Sequence, residues 1–171
     1  MKNVDYKNNI ILIGMPGAGK STVGVVLAKK LGYEFLDSDL VIQKKTGKRL
    51  QEILDDEGTE GFNRIENDIN LSIEAKKCVI ATGGSAIYGK QAMKHFQEMG
   101  LIIYLQLSLE TIAERLGDIQ NRGVSTQKGQ TLEQLYQERI PFYERYANIT
   151  INCEKLLLRE VVELIAKNCI L

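Results

Sequence analysis

Three features of the sequence predict an α/β fold, a mostly parallel sheet covered by helices on both faces. Short β-rich runs alternate with longer amphipathic stretches along the whole chain. Two of those runs, "NIILIG" at 9–14 and "LIIYLQ" at 101–106, are apolar nearly throughout, as strands buried on both faces must be. The first run then passes through a glycine-rich turn straight into a helical pattern, which is the order of a βα unit.

Taken along the chain, the strand at 9–14 is followed by a helical pattern at 20–31. "YEFLD" at 33–37 gives the second strand and stops where the apolar run meets two aspartates, Asp37 and Asp39. Residues 38–76 hold three helical patterns, 39–46, 50–57 and 60–76, with no strand between them. They read as a helical insertion on the sheet's carboxyl edge. "KCVIAT" at 77–82 is the third strand, ending on Gly83 and Gly84, and leads to a helix at 90–99. "LIIYLQ" follows, then a helix at 109–117. Residues 117–131 are polar, carry three glycines and show no periodicity, so a mobile surface loop of the lid type is predicted there. A helix at 132–147, the fifth strand "NITIN" at 148–152 and a helix at 155–168 complete the pattern.

At 171 residues the chain is long enough for one domain with a real core. Its 22 basic and 22 acidic residues balance, leaving no global field to draw in nucleic acid or an anionic membrane. The opening "MKNVDYKNNI" lacks a secretory apolar stretch, and no apolar run reaches membrane-spanning length. Cys78, Cys153 and Cys169 are scattered without C-x-x-C spacing, which reads as reduced thiols in a cytoplasmic protein. His95 is the only histidine, which argues against histidine metal clusters. A cytoplasmic, monomeric enzyme or binding domain is expected, with no nucleic-acid or membrane partner.

The chemistry concentrates in "GMPGAGKST", Gly14 to Thr22, which completes the pattern G-x-x-x-x-G-K-[ST] between a strand and a helix. In such a turn, glycines let backbone N–H groups converge on phosphate oxygens, and the helix start adds favourable partial charge. Gly17, Ala18, Gly19, Lys20, Ser21 and Thr22 are the predicted ATP cradle. Lys20 can reach the β- and γ-phosphates, and the Ser21 hydroxyl can ligate Mg2+. A metal there would let a nearby carboxylate stay ionised, and in a parallel sheet the end of the next strand opens onto the same crevice. Asp37 is therefore the candidate metal partner. Asp39, two residues on along an extended chain, is the candidate to orient or deprotonate an acceptor hydroxyl. A helix N-cap is the alternative role for Asp39.

With these motifs in place the chain resembles the shikimate kinase family. The likeness runs from "IILIGMPGAGKSTVG" through "LAKKLGYEFLDSDLVI", "GFNRIE" and "IATGG" to "ERIPFYERYA". The resemblance implies a three-layer sandwich of the P-loop kinase type with a five-stranded parallel sheet, order 2-3-1-4-5. It implies that 38–76 binds substrate, that 117–131 closes over ATP, and that the γ-phosphate passes to the 3-hydroxyl of shikimate. By the same resemblance Lys20, Asp39 and Arg122 are catalytic, Arg115 packs on adenine, and Arg122 approaches the transferring phosphate. Gly83 and Gly84 would let the backbone approach the acceptor, and Arg139 would grip its carboxylate. Phe62 and Tyr143 are expected as core or crevice wall.

Three positions depart from the family pattern. Asn63 stands where an arginine usually follows Phe62, and Arg64 next to it is turned away by about 100° on a helix. Ser85 replaces a third glycine, and the loop reads "RGVST" at 122–126 in place of arginine-proline and apolar residues. Uncharged Asn63 and Ser85 also suit a neutral polyol, cyclitol or sugar-like acceptor. Two further readings stay open, a nucleotide-binding regulator without turnover and a nucleoside monophosphate kinase. The second is disfavoured because 38–76 contains only Arg49 and Arg64 for binding a second phosphate.

Overall fold

Four aliphatic residues in a row leave no side for solvent, and Asn9–Ile13 (β1) is accordingly buried at every position in the centre of the sheet. The computed structural model describes residues 8–117 and 127–169. β1 pairs in parallel with Cys78–Ala81 (β3) on one side and Gly100–Gln106 (β4) on the other. Glu34–Asp37 (β2) lies outside β3, and Ile149–Asn152 (β5) lies outside β4. The sheet is therefore parallel throughout with order β2-β3-β1-β4-β5, as the resemblance implies. Asn9 ties its lower end together: the amide donates to Ala75 O and Met99 O, and its oxygen accepts from Cys78 N.

Helices Lys20–Leu31 (α1), Lys90–Met99 (α4), Leu109–Leu116 (α5), Leu132–Tyr146 (α6) and Leu158–Cys169 (α7) cover the sheet in three layers, with α1 packed beside α7. The main core contains Ile11, Leu12, Val79, Ile80, Ile102 and Phe96, all fully buried. Ser38–Thr46 (α2) and Leu50–Leu71 (α3) form the insertion, with its own small core of Ile42, Ile53 and Phe62. Among the described residues no helix is long and apolar enough to cross a membrane.

The differences from the sequence-based elements have local causes. The two patterns at 50–57 and 60–76 are one helical segment broken at Gly58, whose φ of 69° and ψ of −179° kink it in the gap between them. It stops at Leu71 because Ser72 folds back, with N–H and hydroxyl both donating to Ile69 O. α7 starts at Leu158 and not at 155, since Lys155 has φ 59° and Glu160 accepts from Leu157 N. A 3-10 turn at Ala86–Tyr88, too short to leave a period, follows β3. Of the loop predicted at 117–131, residues 118–126 lie outside the described residues.

Candidate active site

The glycine-rich turn between β1 and α1 needs backbone shapes that side chains resist. Gly19, the residue before α1, has φ 89° in the left-handed region. Lys20 opens the helix, is buried, and donates to Gly14 O at 2.7 Å and Met15 O at 2.8 Å. Burial pushes its pKa down to about 8, against the pull of Asp39 nearby.

One turn away, the end of β2 supplies the acids. The Ser21 hydroxyl donates to Asp37 Oδ2 at 2.6 Å, while Asp37 Oδ1 accepts from Asp39 N at 3.0 Å and so caps α2. This corrects two expectations. The cap is Asp37, not Asp39, and Asp39 does not continue an extended strand, because the chain turns helical at Ser38. Asp39 still lines the crevice with Lys20, reaching it from the first turn of α2. Burial, reinforced by Asp37, raises its pKa to about 6.

The end of β3 closes against both acids. The Gly83 amide donates to Ser38 Oγ at 3.3 Å. A Cβ on Gly83 would sit 2.6 Å from Glu66 Oε1 and 2.8 Å from Asp39 Oδ1, so this glycine gives space for two carboxyl groups to converge. Glycine at 84 likewise admits Pro16 and the Arg139 guanidinium, each within 3 Å of where a Cβ would stand. Arg139 is fully buried, and Tyr143, stacked on Tyr104, donates to Gly84 O at 2.7 Å.

Glu66 is the site residue that the sequence reading passed over. It is buried, accepts from Ser85 Oγ at 2.5 Å, and has its pKa raised to about 7 by burial. The signal was present: Phe62, Glu66 and Asn70 recur every four residues on the buried face of α3, and a carboxylate in an apolar register asks for a reason. Its protonation has a stability consequence. Below pH 4.5, its ordinary value, both folded and unfolded chains carry the proton. As pH rises from there to about 7 only the folded chain keeps it, so stability falls across that window and then levels off. The loss is on the order of 3 kcal/mol. Urea unfolding at pH 5 and pH 8 is expected to show a smaller drop for Glu66→Gln than for the parent; equal drops would refute the assignment.

One crevice of about 310 Å³ is lined by Gly17, Gly19, Lys20, Ser21, Thr22, Asp39, Phe62, Gly83, Gly84, Ser85 and Arg139, with Glu66 behind Ser85. Ala18 and Thr22 border a smaller cleft of about 200 Å³ with Arg115 and buried Cys153. Arg115 donates to Gly17 O at 3.2 Å, back across the cradle. Asn63 is not brought to the main crevice. One helical step from Phe62, it lines two outer clefts with Tyr88, and Arg64 opens onto one of them. Arg122 lies outside the described residues. Ser21 and Asp37 offer two hard oxygens at the edge of the cradle. Among the described residues no group of three or more His, Cys, Asp or Glu could hold a metal by itself. That donor set fits Mg2+, which binds through few protein ligands and completes its shell with water and phosphate oxygens.

The family profile for shikimate kinase matches residues 16–169. A shikimate kinase of Thermodesulfovibrio yellowstonii is 40% identical over 162 residues, covering 93% of each chain. One of Vibrio cholerae is 35% identical over 169 residues, covering 95% of this chain and 97% of its own. Among solved structures, Acinetobacter baumannii shikimate kinase in complex with shikimate superimposes with TM-score 0.84 at 35% identity, over 94% of this chain and 91% of that one. A deoxyadenosine kinase of M. mycoides, at 18% identity and TM-score 0.56, shares the fold.

Proposed function

Because the chain belongs to the shikimate kinase family, we propose that its crevice transfers the γ-phosphate of ATP to a hydroxyl of shikimate, with the following residues in the following roles. The observation that carries the reading is the convergence of Lys20, Asp39 and Arg139 on one cavity. Each comes from a different element, and each supplies a different requirement of the reaction.

Phosphoryl transfer asks for positioning and charge neutralisation more than for covalent help. The turn from Gly17 to Thr22 holds the phosphate chain, and the α1 N-terminus adds positive partial charge. Lys20 leaves its carbonyl partners, Gly14 and Met15, for the phosphoryl oxygens and offsets the charge that develops there. Ser21 and Asp37 would hold Mg2+, whose charge neutralises the β- and γ-oxygens. Asp39 orients the acceptor hydroxyl and takes its proton as the new O–P bond forms. Arg139 receives the acceptor carboxylate, and Gly83 keeps the floor of the crevice low enough for the ring. Arg115, against Gly17, closes the base side of the nucleotide.

Among the described residues Arg139 is the only arginine lining the crevice, so acceptor affinity rests heavily on it. Arg139→Ala is expected to raise the shikimate KM by about a hundredfold while changing the ATP KM little. The activity itself is tested by coupled ADP release from ATP and Mg2+ with the purified protein. Shikimate should stimulate release strongly, and absence of stimulation at millimolar shikimate would overturn the reading.

A further inference from the structure

Among the described residues Arg139 is the largest fully buried side chain. A guanidinium recognises a carboxylate through a planar fork, so affinity depends on the plane being set beforehand. Tyr88 meets it in two ways. Arg139 Nε donates to Tyr88 Oη at 3.4 Å, and the guanidinium carbon lies 5.4 Å from the centroid of the Tyr88 ring.

Tyr88 is itself fixed from several sides. Its hydroxyl donates to Glu138 Oε1, and Glu138 Oε2 accepts from Gln130 Nε2 at 2.9 Å. The ring stands edge-on to Phe142, with centroids 5.6 Å apart at 66°. With its proton committed to Glu138, the phenol oxygen offers lone pairs to Arg139. The 3-10 turn after β3 thus delivers an aromatic ring to the back of the acceptor cation, with α6 and the residues before it bracing that ring.

We infer that Tyr88, held by Glu138, is a positioning residue that helps set the plane of the Arg139 guanidinium for the acceptor carboxylate. Tyr143 is the other tyrosine against that guanidinium. The inference rests on the acceptor role of Arg139 proposed above. It adds a residue that touches neither ATP nor the reacting hydroxyl yet determines how tightly the acid is held.

Tyr88→Phe keeps the ring and removes the hydroxyl. It is expected to raise the shikimate KM about tenfold, the worth of one hydrogen bond to a charged group. The ATP KM and kcat should stay within about twofold, and the melting temperature should hold. Glu138→Gln, which still accepts a hydrogen bond, should give a smaller rise of about threefold. With the carboxamide analogue of shikimate as acceptor, Tyr88→Phe and the parent should not differ. A shikimate KM within twofold of the parent, the same penalty on the carboxamide, or kcat and both KM values drifting with a lowered melting temperature would each overturn the inference. Arg139→Lys separates the two levels. If it raises the shikimate KM while Tyr88→Phe does not, only Tyr88 loses its role; if it changes nothing, the acceptor reading falls and takes this inference with it.

Discussion

Lys20→Ala is expected to lower kcat by on the order of a thousandfold or more, because no other lysine lines the crevice among the described residues. Fold and melting temperature should change little. The ammonium is buried at a cost that already depresses its pKa to about 8, so removing it relieves a desolvation penalty while giving up two bonds to backbone carbonyls. Those two effects oppose each other. The measurement is steady-state turnover beside circular dichroism and thermal melting of the same preparation. Turnover within tenfold of the parent, in a folded protein, would refute the placement of the phosphate cradle.

Asp39→Asn should reduce kcat by about a hundredfold to a thousandfold and leave the ATP KM nearly unchanged. The structure sharpens this test, because the capping of α2 belongs to Asp37 and stays in place. A buried carboxyl raised to about 6 is costly to ionise at neutral pH, so the neutral isostere should hold the ligand-free protein at least as stable as the parent at pH 7.5. The expected pattern is lost turnover with retained or increased resistance to urea, the trade that functional acids in dry sites show. Lost turnover with a collapsed melting temperature would instead make Asp39 structural.

Much of this site was legible because it is local. Gly14, Gly19, Lys20 and Ser21 sit in one short motif, and a strand ending in Asp37 opens onto the same crevice as the turn after β1 in any parallel sheet. β1 and β4 declare themselves as unbroken apolar runs, and α4 was bounded at 90–99 as found. What escaped was pairing across the chain. Ser85 meets Glu66 nineteen residues away and Arg139 meets Tyr88 fifty-one residues away, and neither separation leaves a period to read. The place of Asn63 after Phe62 points to the acceptor, but a helix turns successive side chains apart, and of the two only Phe62 faces the crevice. Asp39 reaches the crevice by a route its spacing from Asp37 does not predict: the extended chain ends at Asp37, and the first helical turn delivers the carboxyl to the cavity.

Asp37 spends one oxygen on Ser21 and the other on the start of α2. A single rigid group is therefore the common datum from which both the donor and the acceptor ends of the reaction are measured. Lengthening that link by one atom, as Asp37→Glu would, shifts the two ends relative to each other even though every reacting group is still present. In a reaction governed by alignment, such a variant would keep its ligands and lose its rate.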